Sequence, residues 1–229
     1  MFNENLSFGI SEKKDGDMRL FIQDPTRNFS NRKIFFEKQG LNIQNCVMPE
    51  LIHQTGIDLV GPQHKGLILE KTDALITHHP GIILALTVAD CMPVYFYDPV
   101  QKVIGLVHAG WRGIVNQIIP LTIQKLIDEY HINPQNLEIL VGPHLQKCHF
   151  EIQNDILPYF RKYSPQISHE NDKIMVDLNE IVLEQLKSYG ITKLEISPTC
   201  TFCENDHFFS YRREQPVLET MMAYMVLKH

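Results

Sequence analysis

Cys91 and His108 flank an apolar segment within the stretch TVADCMPVYFYDPVQKVIGLVHAGWRG. Asp98 and Pro99, near its middle, are typical of the first two positions of a type I turn, because aspartate accepts hydrogen bonds from the backbone and proline presets φ. A turn over residues 98–101 predicts an antiparallel hairpin in which Cys91 lies directly opposite His108, with Cβ atoms roughly 4.5–5.5 Å apart. The prediction depends on this register, because a slip of one residue turns the two side chains to opposite faces.

A thiol and an imidazole at this separation suit two kinds of chemistry. They form an activated nucleophile with its general base, or they supply two ligands to a metal ion such as zinc, which binds sulfur and nitrogen at roughly 2.0–2.3 Å. Asp90, directly before Cys91, is a candidate proton carrier. The alternative without function is that Cys91 and His108 pack in an apolar core, since cysteine is among the most frequently buried residue types.

The residues AGWRG follow His108 directly. Glycine lets the backbone approach a ligand closely, and the free N–H groups at the start of a helix attract anions. The guanidinium of Arg112 adds a planar set of donors that suits phosphate. We therefore expect an anion to bind at Arg112, whereas Trp111 can equally be a core anchor.

Further candidate residues lie in and near CTFCENDHFFSYRR. Arg212 is a candidate phosphate ligand beside aromatic residues that can stack on a base; a charged edge strand is the alternative. Cys200 and Cys203 form one Cys-x2-Cys pair, whereas a common zinc motif has a second pair of cysteines or histidines that is missing here. We therefore expect structural or incidental thiols. Cys148 follows a Gly-Pro turn and is expected to serve packing.

The elements that position these residues are predicted from periodicity and turn signals. Consecutive strands are expected over 82–97 and 102–108, and a helix that starts at AGWRG is expected to bend at Pro120. Ser30 is the predicted N-cap of an early helix and Gly40 its end, and VLETMMAYMVLK is predicted to form a C-terminal helix. Strands and helices mix without a strict βαβ order, which favours an α+β class with layers of sheet and helix.

The chain has 229 residues, of which 44% are hydrophobic and 21% charged, with a formal net charge of -6. One domain over residues 1–229 is expected, because no linker, repeat or low-complexity segment interrupts the sequence. The acidic balance argues against a nucleic-acid surface, and no apolar run reaches the ~18 residues of a membrane-spanning helix. The 5 cysteines, an odd number without a secretory signal, favour reduced thiols and a cytoplasmic location.

The motif TVADCMPVYF, followed by HAGWRG, resembles the hallmark sequences of the multicopper polyphenol oxidase or laccase-domain family. Members of that family are now known as purine nucleoside phosphorylases. The resemblance covers most of the chain, since it extends to SNRKIFF, TDALITHHPGIILALTVADC, VGPHLQKCHFEI and CTFCENDHFFSYRR. Each of these segments is weak by itself, whereas HAGWRG at this distance after ADC is highly specific.

The resemblance implies a layered α/β sandwich of mixed sheets, related to cysteine-hydrolase-like folds, in a protein that is expected to be a monomer. It also implies a zinc ion held by histidine, cysteine and histidine, with Cys91 and His108 as two of the ligands. Family members cleave adenosine, inosine or methylthioadenosine with phosphate and can deaminate adenosine, so a purine nucleoside and phosphate are the expected partners. Copper is less expected, because the chain lacks the His-x-His pairs of a multicopper cluster.

The family's first ligand histidine lies in a Gln-Val-His-Gly-like motif, for which this chain has IHQTGIDLV. Gln54 and Thr55 match the first two positions, and Gly56 takes the place of the histidine. His53 is the best candidate for the third metal ligand, and Gln54 joins Arg112 and Arg212 in the predicted substrate-binding or phosphate-binding set. Alternative histidines from nearby loops are His64, His78 and His79.

Two other functions stay open. A metal-free hydrolase or deamidase would use Cys91 as nucleophile and His108 as base. A non-catalytic member of the family would bind a nucleoside, or a protein partner, without turnover. Metal content and product formation separate these alternatives from a zinc enzyme.

Overall fold

The computed structural model describes residues 4–20 and 25–228. The helices in these ranges are α1 (Pro25–Lys38), α2 (Trp111–Val115), α3 (Ile118–Tyr130), α4 (Leu178–Lys187) and α5 (Tyr211–Glu214), and 3-10 turns lie at Lys13–Asp15, Ile43–Asn45, Pro62–His64, Pro134–Asn136 and Leu157–Gln166. The strands are β1 (Leu6–Ile10), β2 (Cys46–Pro49), β3 (Ile57–Leu59), β4 (Ile68–Leu69), β5 (Ala74–Thr77), β6 (Ile83–Val88), β7 (Met92–Asp98), β8 (Val103–Ala109), β9 (Glu138–Val141), β10 (Glu151–Ile152), β11 (Ile167–Glu170), β12 (Lys173–Val176), β13 (Lys193–Ile196) and β14 (Met221–Leu227).

Two larger sheets pack face to face. One is a 5-stranded sheet in the order β1-β14-β6-β2-β4, and the other is a 6-stranded sheet in the order β13-β9-β7-β8-β5-β3. Both contain parallel and antiparallel pairs. Their facing sides bury one apolar layer, which includes Leu84 and Leu86 of β6, Tyr95 of β7 and Leu106 of β8.

Helices cover the outer faces of both sheets. Phe35 and Phe36 of α1 pack on Tyr224 of β14, whereas α3 and α4 join the core on the other sheet through residues such as Ile123 and Ile181. The order of layers is therefore helix, sheet, sheet, helices. This order confirms the predicted α+β class and the layered sandwich of mixed sheets. No helix in the described ranges is long and apolar enough to cross a membrane.

The chain passes from one sheet to the other directly before Cys91. The single strand predicted over 82–97 is wrong, because β6 ends at Val88 in the five-stranded sheet and β7 begins at Met92 in the six-stranded sheet. Asp90 adopts a left-handed conformation at this crossing, with φ of 85°. Aspartate tolerates that conformation better than most residues, because its short polar side chain can hydrogen-bond locally. The crossing places Cys91 at the end of the sheet.

The hairpin of β7 and β8 closes later than predicted. Asp98 pairs with Val103 rather than with Gln101, and the Asp98 carboxylate accepts the N–H group of Gln101 at 2.9 Å within a longer loop. The register is therefore shifted by an even number of residues, which keeps every side chain on its predicted face. Cys91 no longer lies directly opposite His108, but the two remain close together.

The C-terminal segment forms the strand β14 and not the predicted helix. All residues of β14 are buried, because this strand lies inside the five-stranded sheet between β1 and β6. A segment that is covered on both faces shows no alternation, so periodicity cannot separate a buried strand from a buried helix. Methionine and alanine then favour the helix prediction by propensity.

The helix boundaries agree only in part with the predictions. α1 begins at Pro25 and not at Ser30, whereas Gly40 follows its end with φ of 70°, as predicted. The break between α2 and α3 falls at Gln117, whose φ is also 70°. Pro120 lies in the first turn of α3, where a proline interrupts no intrahelical hydrogen bond.

Candidate metal centre

His108 lies near the end of β8 and is almost fully buried, with 2% of its surface exposed. Its Nδ1 atom lies 3.1 Å from Oδ1 of the buried Asp73, and its backbone N–H donates to the Asp73 carbonyl at 2.7 Å. With Nδ1 engaged, Nε2 is the ring nitrogen left for chemistry. Burial lowers the pKa of His108, but the Cys91 sulfur and the Asp73 carboxylate outweigh burial and raise it to about 9.

The Asp73 carboxylate also anchors the loop that carries a second histidine. It accepts the backbone N–H groups of His53 and Gln54 at 2.9 and 2.8 Å. Burial raises the pKa of Asp73, but these hydrogen bonds and His108 outweigh burial and lower it. Asp73 was not among the residues predicted for the site. Its signal in the sequence is TDALIT, an aspartate directly before a run of buried residues.

The structure brings His53, Cys91 and His108 together. One ligand atom of each lies within 4.8 Å of the others. The rings of the two histidines are nearly perpendicular, at 85°, with centroids 4.7 Å apart. The group opens toward solvent, because His53 is exposed and Cys91 is half-buried. The three residues expected from the sequence to bind a metal ion therefore lie together, and metal binding by them stays a prediction.

Gly56 lies where this backbone leaves no room for a side chain. A Cβ atom at Gly56 would lie 2.1 Å from the carbonyl oxygen of Lys71, a separation that no side chain can adopt. A histidine at position 56 is therefore incompatible with this backbone. His53 reaches the site from a left-handed conformation with φ of 58°, fixed by its N–H bond to Asp73.

The alternative histidines lie elsewhere. His64 Nδ1 accepts the N–H group of Gly61 within its own turn, at 3.0 Å. The rings of His78 and His79 pack on each other with centroids 4.1 Å apart, and His78 also contacts Tyr130. None of the three belongs to the group formed by His53, Cys91 and His108.

The residues AGWRG lie across the mouth of this group. A Cβ atom at Gly110 would lie 3.1 Å from Cys91 Sγ, and one at Gly113 would lie 3.0 Å from the Gln54 carbonyl oxygen. Both glycines therefore allow the backbone to approach the site closely. The Arg112 guanidinium stacks on Trp111 at 4.2 Å and, among the described residues, has no carboxylate partner.

Asp90 points its carboxylate at the segment that precedes α5. The carboxylate accepts hydrogen bonds from Thr201 Oγ1 at 2.6 Å, Ser210 Oγ at 3.1 Å and the Arg212 N–H at 2.7 Å. These donors explain how Asp90 is held in its left-handed conformation. The carboxylate thus fixes the crossing before Cys91, and the contacts give it a positioning role.

Arg212 is likewise engaged by the protein itself. Its guanidinium donates to the carbonyl oxygens of His149 and Glu151, both at 2.9 Å. The side chain therefore braces the loop before β10. The structure does not bring it into the group formed by His53, Cys91 and His108.

The model of a family described as multi-copper polyphenol oxidoreductase laccase matches residues 12–228. The chain belongs to this family. A protein of Bacteroides thetaiotaomicron named purine nucleoside phosphorylase is 31% identical over 198 residues, which cover 80% of this chain and 73% of that protein. Purine nucleoside phosphorylase YlmD of Geobacillus stearothermophilus is 29% identical over 217 residues, covering 88% of this chain and 79% of that protein.

Two solved structures share the fold of this chain. The crystal structure of YlmD from Geobacillus stearothermophilus has a TM-score of 0.93 at 26% identity and covers 99% of this chain and 93% of that chain. The hypothetical protein YfiH of Bacillus licheniformis has a TM-score of 0.92 at 27% identity, with 97% and 93% covered. These similarities confirm both the predicted family and the predicted layered fold.

The laccase name of the family indicates copper, whereas the candidate group in this chain could hold one ion. Two nitrogen donors and one sulfur donor converge within 4.8 Å. A copper cluster requires several imidazole pairs, and His53 and His108 provide only one such pair here. Three ligands with an open side are typical of a metal ion that also binds water or substrate.

Proposed function

We propose that this protein is a zinc-dependent purine nucleoside phosphorylase that cleaves adenosine, inosine or methylthioadenosine with phosphate and that can also deaminate adenosine. The observation that carries the proposal is the convergence of His53, Cys91 and His108 on one point, above the buried carboxylate of Asp73. The names of the similar proteins support the reaction class.

The donor set favours zinc. Zinc accepts sulfur and nitrogen ligands together, and its catalytic sites keep one position open. Cys91 and His108 would form the buried part of the site, and His53 would complete it from the solvent side. A zinc ion held there supplies a Lewis acid and lowers the pKa of a bound water to about 7.

Arg112 is proposed to bind phosphate. Trp111 covers one face of the guanidinium, which leaves the N–H edge free for two hydrogen bonds to an anion. Arg112 follows closely on Gly110, where a Cβ atom would lie 3.6 Å from His53 Cδ2 and 3.1 Å from Cys91 Sγ. Phosphate held at Arg112 would therefore lie beside the metal ligands.

In phosphorolysis, a phosphate oxygen attacks the ribose carbon that carries the purine. The bond between that carbon and the purine nitrogen breaks, and its electron pair leaves with the base, which takes up a proton. In deamination, water attacks the purine carbon that bears the amine, and ammonia leaves. We propose that Gln54, exposed at the mouth of the site, contacts the substrate.

Asp90 and Arg212 are proposed to act as positioning residues, because the contacts of their side chains hold the segment around Cys91 and the loop before β10. The predicted role of Asp90 as a proton carrier and that of Arg212 as a phosphate ligand stay predictions. The same holds for the single domain, the monomeric state, the cytoplasmic location and the absence of nucleic-acid and membrane partners.

One specific observation favours a second candidate function. Cys91, His108 and Asp73 form a chain of thiol, imidazole and buried carboxylate, which is the arrangement of an activated cysteine nucleophile. A metal-free cysteine hydrolase or deamidase would use these groups directly. Such an enzyme would keep its activity in a chelator and lose it on alkylation of Cys91.

The test compares H53A with H131A. Both histidines are exposed and both have a left-handed backbone, with φ of 58° and 52°, so alanine imposes the same backbone strain at each. We expect H53A to lose about one equivalent of zinc and at least about 100-fold in kcat/KM for purine release from inosine and phosphate, whereas H131A stays at wild-type values.

Wild-type metal content and activity in H53A would contradict the proposal. Activity of the wild-type protein in a chelator would favour the cysteine hydrolase. Binding of inosine without any product would favour a non-catalytic nucleoside-binding protein.

A further inference from the structure

A second group of metal-type ligands lies in the loops that follow β9 and β13. Cys148 and His149 precede β10, and Cys200 and Cys203 lie between β13 and α5. One ligand atom of each of the four lies within 4.8 Å of the others. The fold thus brings together two pairs of potential ligands that are far apart in the sequence.

The distances in this group match a tetrahedron around one ion. Zinc–sulfur bonds of about 2.3 Å and a zinc–nitrogen bond of about 2.0 Å require sulfur atoms about 3.8 Å apart and a nitrogen about 3.5 Å from each sulfur. Cys148 Sγ lies 3.7 Å from Cys200 Sγ and 4.0 Å from Cys203 Sγ. His149 Nδ1 lies 3.1, 3.9 and 3.5 Å from the sulfur atoms of Cys148, Cys200 and Cys203.

Backbone donors point at one of these sulfur atoms. The N–H groups of Gln146, Phe202 and Cys203 donate to Cys200 Sγ. Because hydrogen bonds to a charged acceptor are stronger than those to a neutral one, three N–H donors directed at Cys200 Sγ suit a metal-bound sulfur.

The histidine of the group is held in place by its surroundings. The His149 ring stacks on Phe202 with centroids 3.9 Å apart and 17° between the planes, and its carbonyl oxygen accepts a hydrogen bond from Arg212. These contacts hold the ring where Nδ1 faces the three sulfur atoms.

We propose that Cys148, His149, Cys200 and Cys203 form a structural zinc site. Three sulfur donors and one nitrogen donor complete a tetrahedron, which is typical of closed structural sites and differs from the open three-ligand group. Cys148 and Cys203 are exposed, and Cys148 lines a surface cavity of about 320 Å³, which gives the ion a path of entry.

This site would fasten the two loops to each other and, through them, support the crossing before Cys91. Thr201, directly after Cys200, donates to Asp90, and Arg212, which donates to the His149 carbonyl, also donates its N–H to Asp90. The structural zinc is therefore expected to stabilise the fold around the first site without taking part in the reaction.

The arrangement changes the interpretation of three cysteines. Cys148 was predicted to serve packing, which is wrong because it is exposed. Cys200 and Cys203 were predicted to be structural or incidental thiols because no second pair accompanies them. Their partners are Cys148 and the adjacent His149, whose spacing matches no common zinc-site motif and whose proximity depends on the fold.

Zinc counts in four variants and in the wild-type protein test the proposal. Protein purified in reductant is expected to hold about one equivalent in C91A and none in C91A/C203S. The single variant H149A is expected to hold one equivalent less than wild type, and H169A, which changes an exposed histidine, is expected to hold the wild-type amount. The C91A background isolates the second site, so its zinc is counted whether or not the first site binds metal.

Thiol protection in the wild-type protein tests the site without any variant. With zinc bound, the exposed Cys148 and Cys203 are expected to resist iodoacetamide, and a chelator is expected to make both reactive and to lower the Tm by several degrees. Equal alkylation with and without zinc would overturn the proposal. A disulfide between Cys148 and Cys200 in protein that binds no zinc after reduction would also overturn it.

Discussion

The carboxylate of Asp73 holds both histidines of the candidate metal centre. One oxygen lies near His108 Nδ1 and the His53 N–H, and the other accepts the Gln54 N–H. A single buried group therefore sets the ring orientation of one ligand and the backbone position of the other. Partners of this kind fix the tautomer of a metal-binding histidine.

The proximity of Cys91 and His108 could be predicted from the sequence, whereas the residue that supports His108 could not. Their proximity was predicted from the pairing across a hairpin, and a register shift by an even number of residues keeps both side chains on the predicted face. Asp73 stands 35 residues before His108, and its role depends on how β5 lies beside β8. A hydrogen bond over that separation has no local pattern from which it could be predicted.

Asp73→Asn tests this support at the residue scale. Asparagine keeps the shape of the side chain but replaces one acceptor oxygen with a donor, which must then face either the His108 ring or a backbone N–H. We expect zinc affinity and kcat/KM each to fall by about 10–100-fold, measured by competitive zinc titration and purine release. The exposed control D206N should leave both unchanged, and an unaltered zinc affinity in D73N would contradict the role.

At the scale of elements, the crossing between the sheets at Asp90 places Cys91 directly before the start of β7. The predicted strand over 82–97 missed this break because its residues are apolar on both sides of it, and strands of both sheets are buried there. The same cause hid β14, which is buried along its whole length. The end of α1 could be predicted from a local signal, because Gly40 has a left-handed conformation with φ of 70° that favours glycine.

Removal of the Asp90 carboxylate should loosen the crossing. D90A leaves the donors Thr201, Ser210 and Arg212 without their acceptor, so we expect the free energy of unfolding to fall by about 2–3 kcal/mol in urea denaturation. D90N keeps one acceptor oxygen and should lose about half as much.

The pH profile of kcat/KM in D90N separates positioning from proton transfer. A positioning role leaves the profile in place, because the titrating groups of the reaction are elsewhere. A profile that loses one limb in D90N, together with wild-type stability of D90A, would restore Asp90 as the proton carrier.

At the scale of the whole molecule, both ligand groups gather at one end of the six-stranded sheet. β5 and β7 are antiparallel to β8, β9 is antiparallel to β7, and β13 is parallel to β9. The first residues of β5 and β7 and the last residues of β8, β9 and β13 therefore lie at the same end of the sheet. Residues within or near this end are Asp73, Cys91, His108, Cys148 and Cys200.

The two terminal parts of the chain also meet. β1 pairs with β14 along its full length, and Lys13 forms an ion pair with Glu214 of α5 at 2.8 Å. Glu214 pairs with Arg213 as well, at 2.8 Å. Glu214 thus links Lys13, in the N-terminal part of the chain, to α5. Ser210, directly before α5, donates a hydrogen bond to Asp90.

This link should make part of the stability depend on pH. Burial raises the pKa of Glu214, but Lys13, Arg213 and the Ser210 N–H outweigh burial and lower it below the ordinary 4.5. A carboxyl with a lowered folded-state pKa contributes stability that is present in full above its unfolded pKa and is lost as the pH falls through the folded-state value. The contribution is therefore complete at pH 7 and disappears in acid.

We expect E214Q to lower the free energy of unfolding by about 1 kcal/mol at pH 7, since the ion pairs are partly screened by solvent. The difference from wild type should shrink as the pH falls from the ordinary value of 4.5 through the lower folded-state pKa, where the wild-type carboxyl also becomes neutral. Urea denaturation at several pH values measures it, with E195Q, at an exposed glutamate, as the control. A constant difference between E214Q and wild type across this range would show that the glutamine disturbs packing, and that the charge of Glu214 does not join the two ends of the chain.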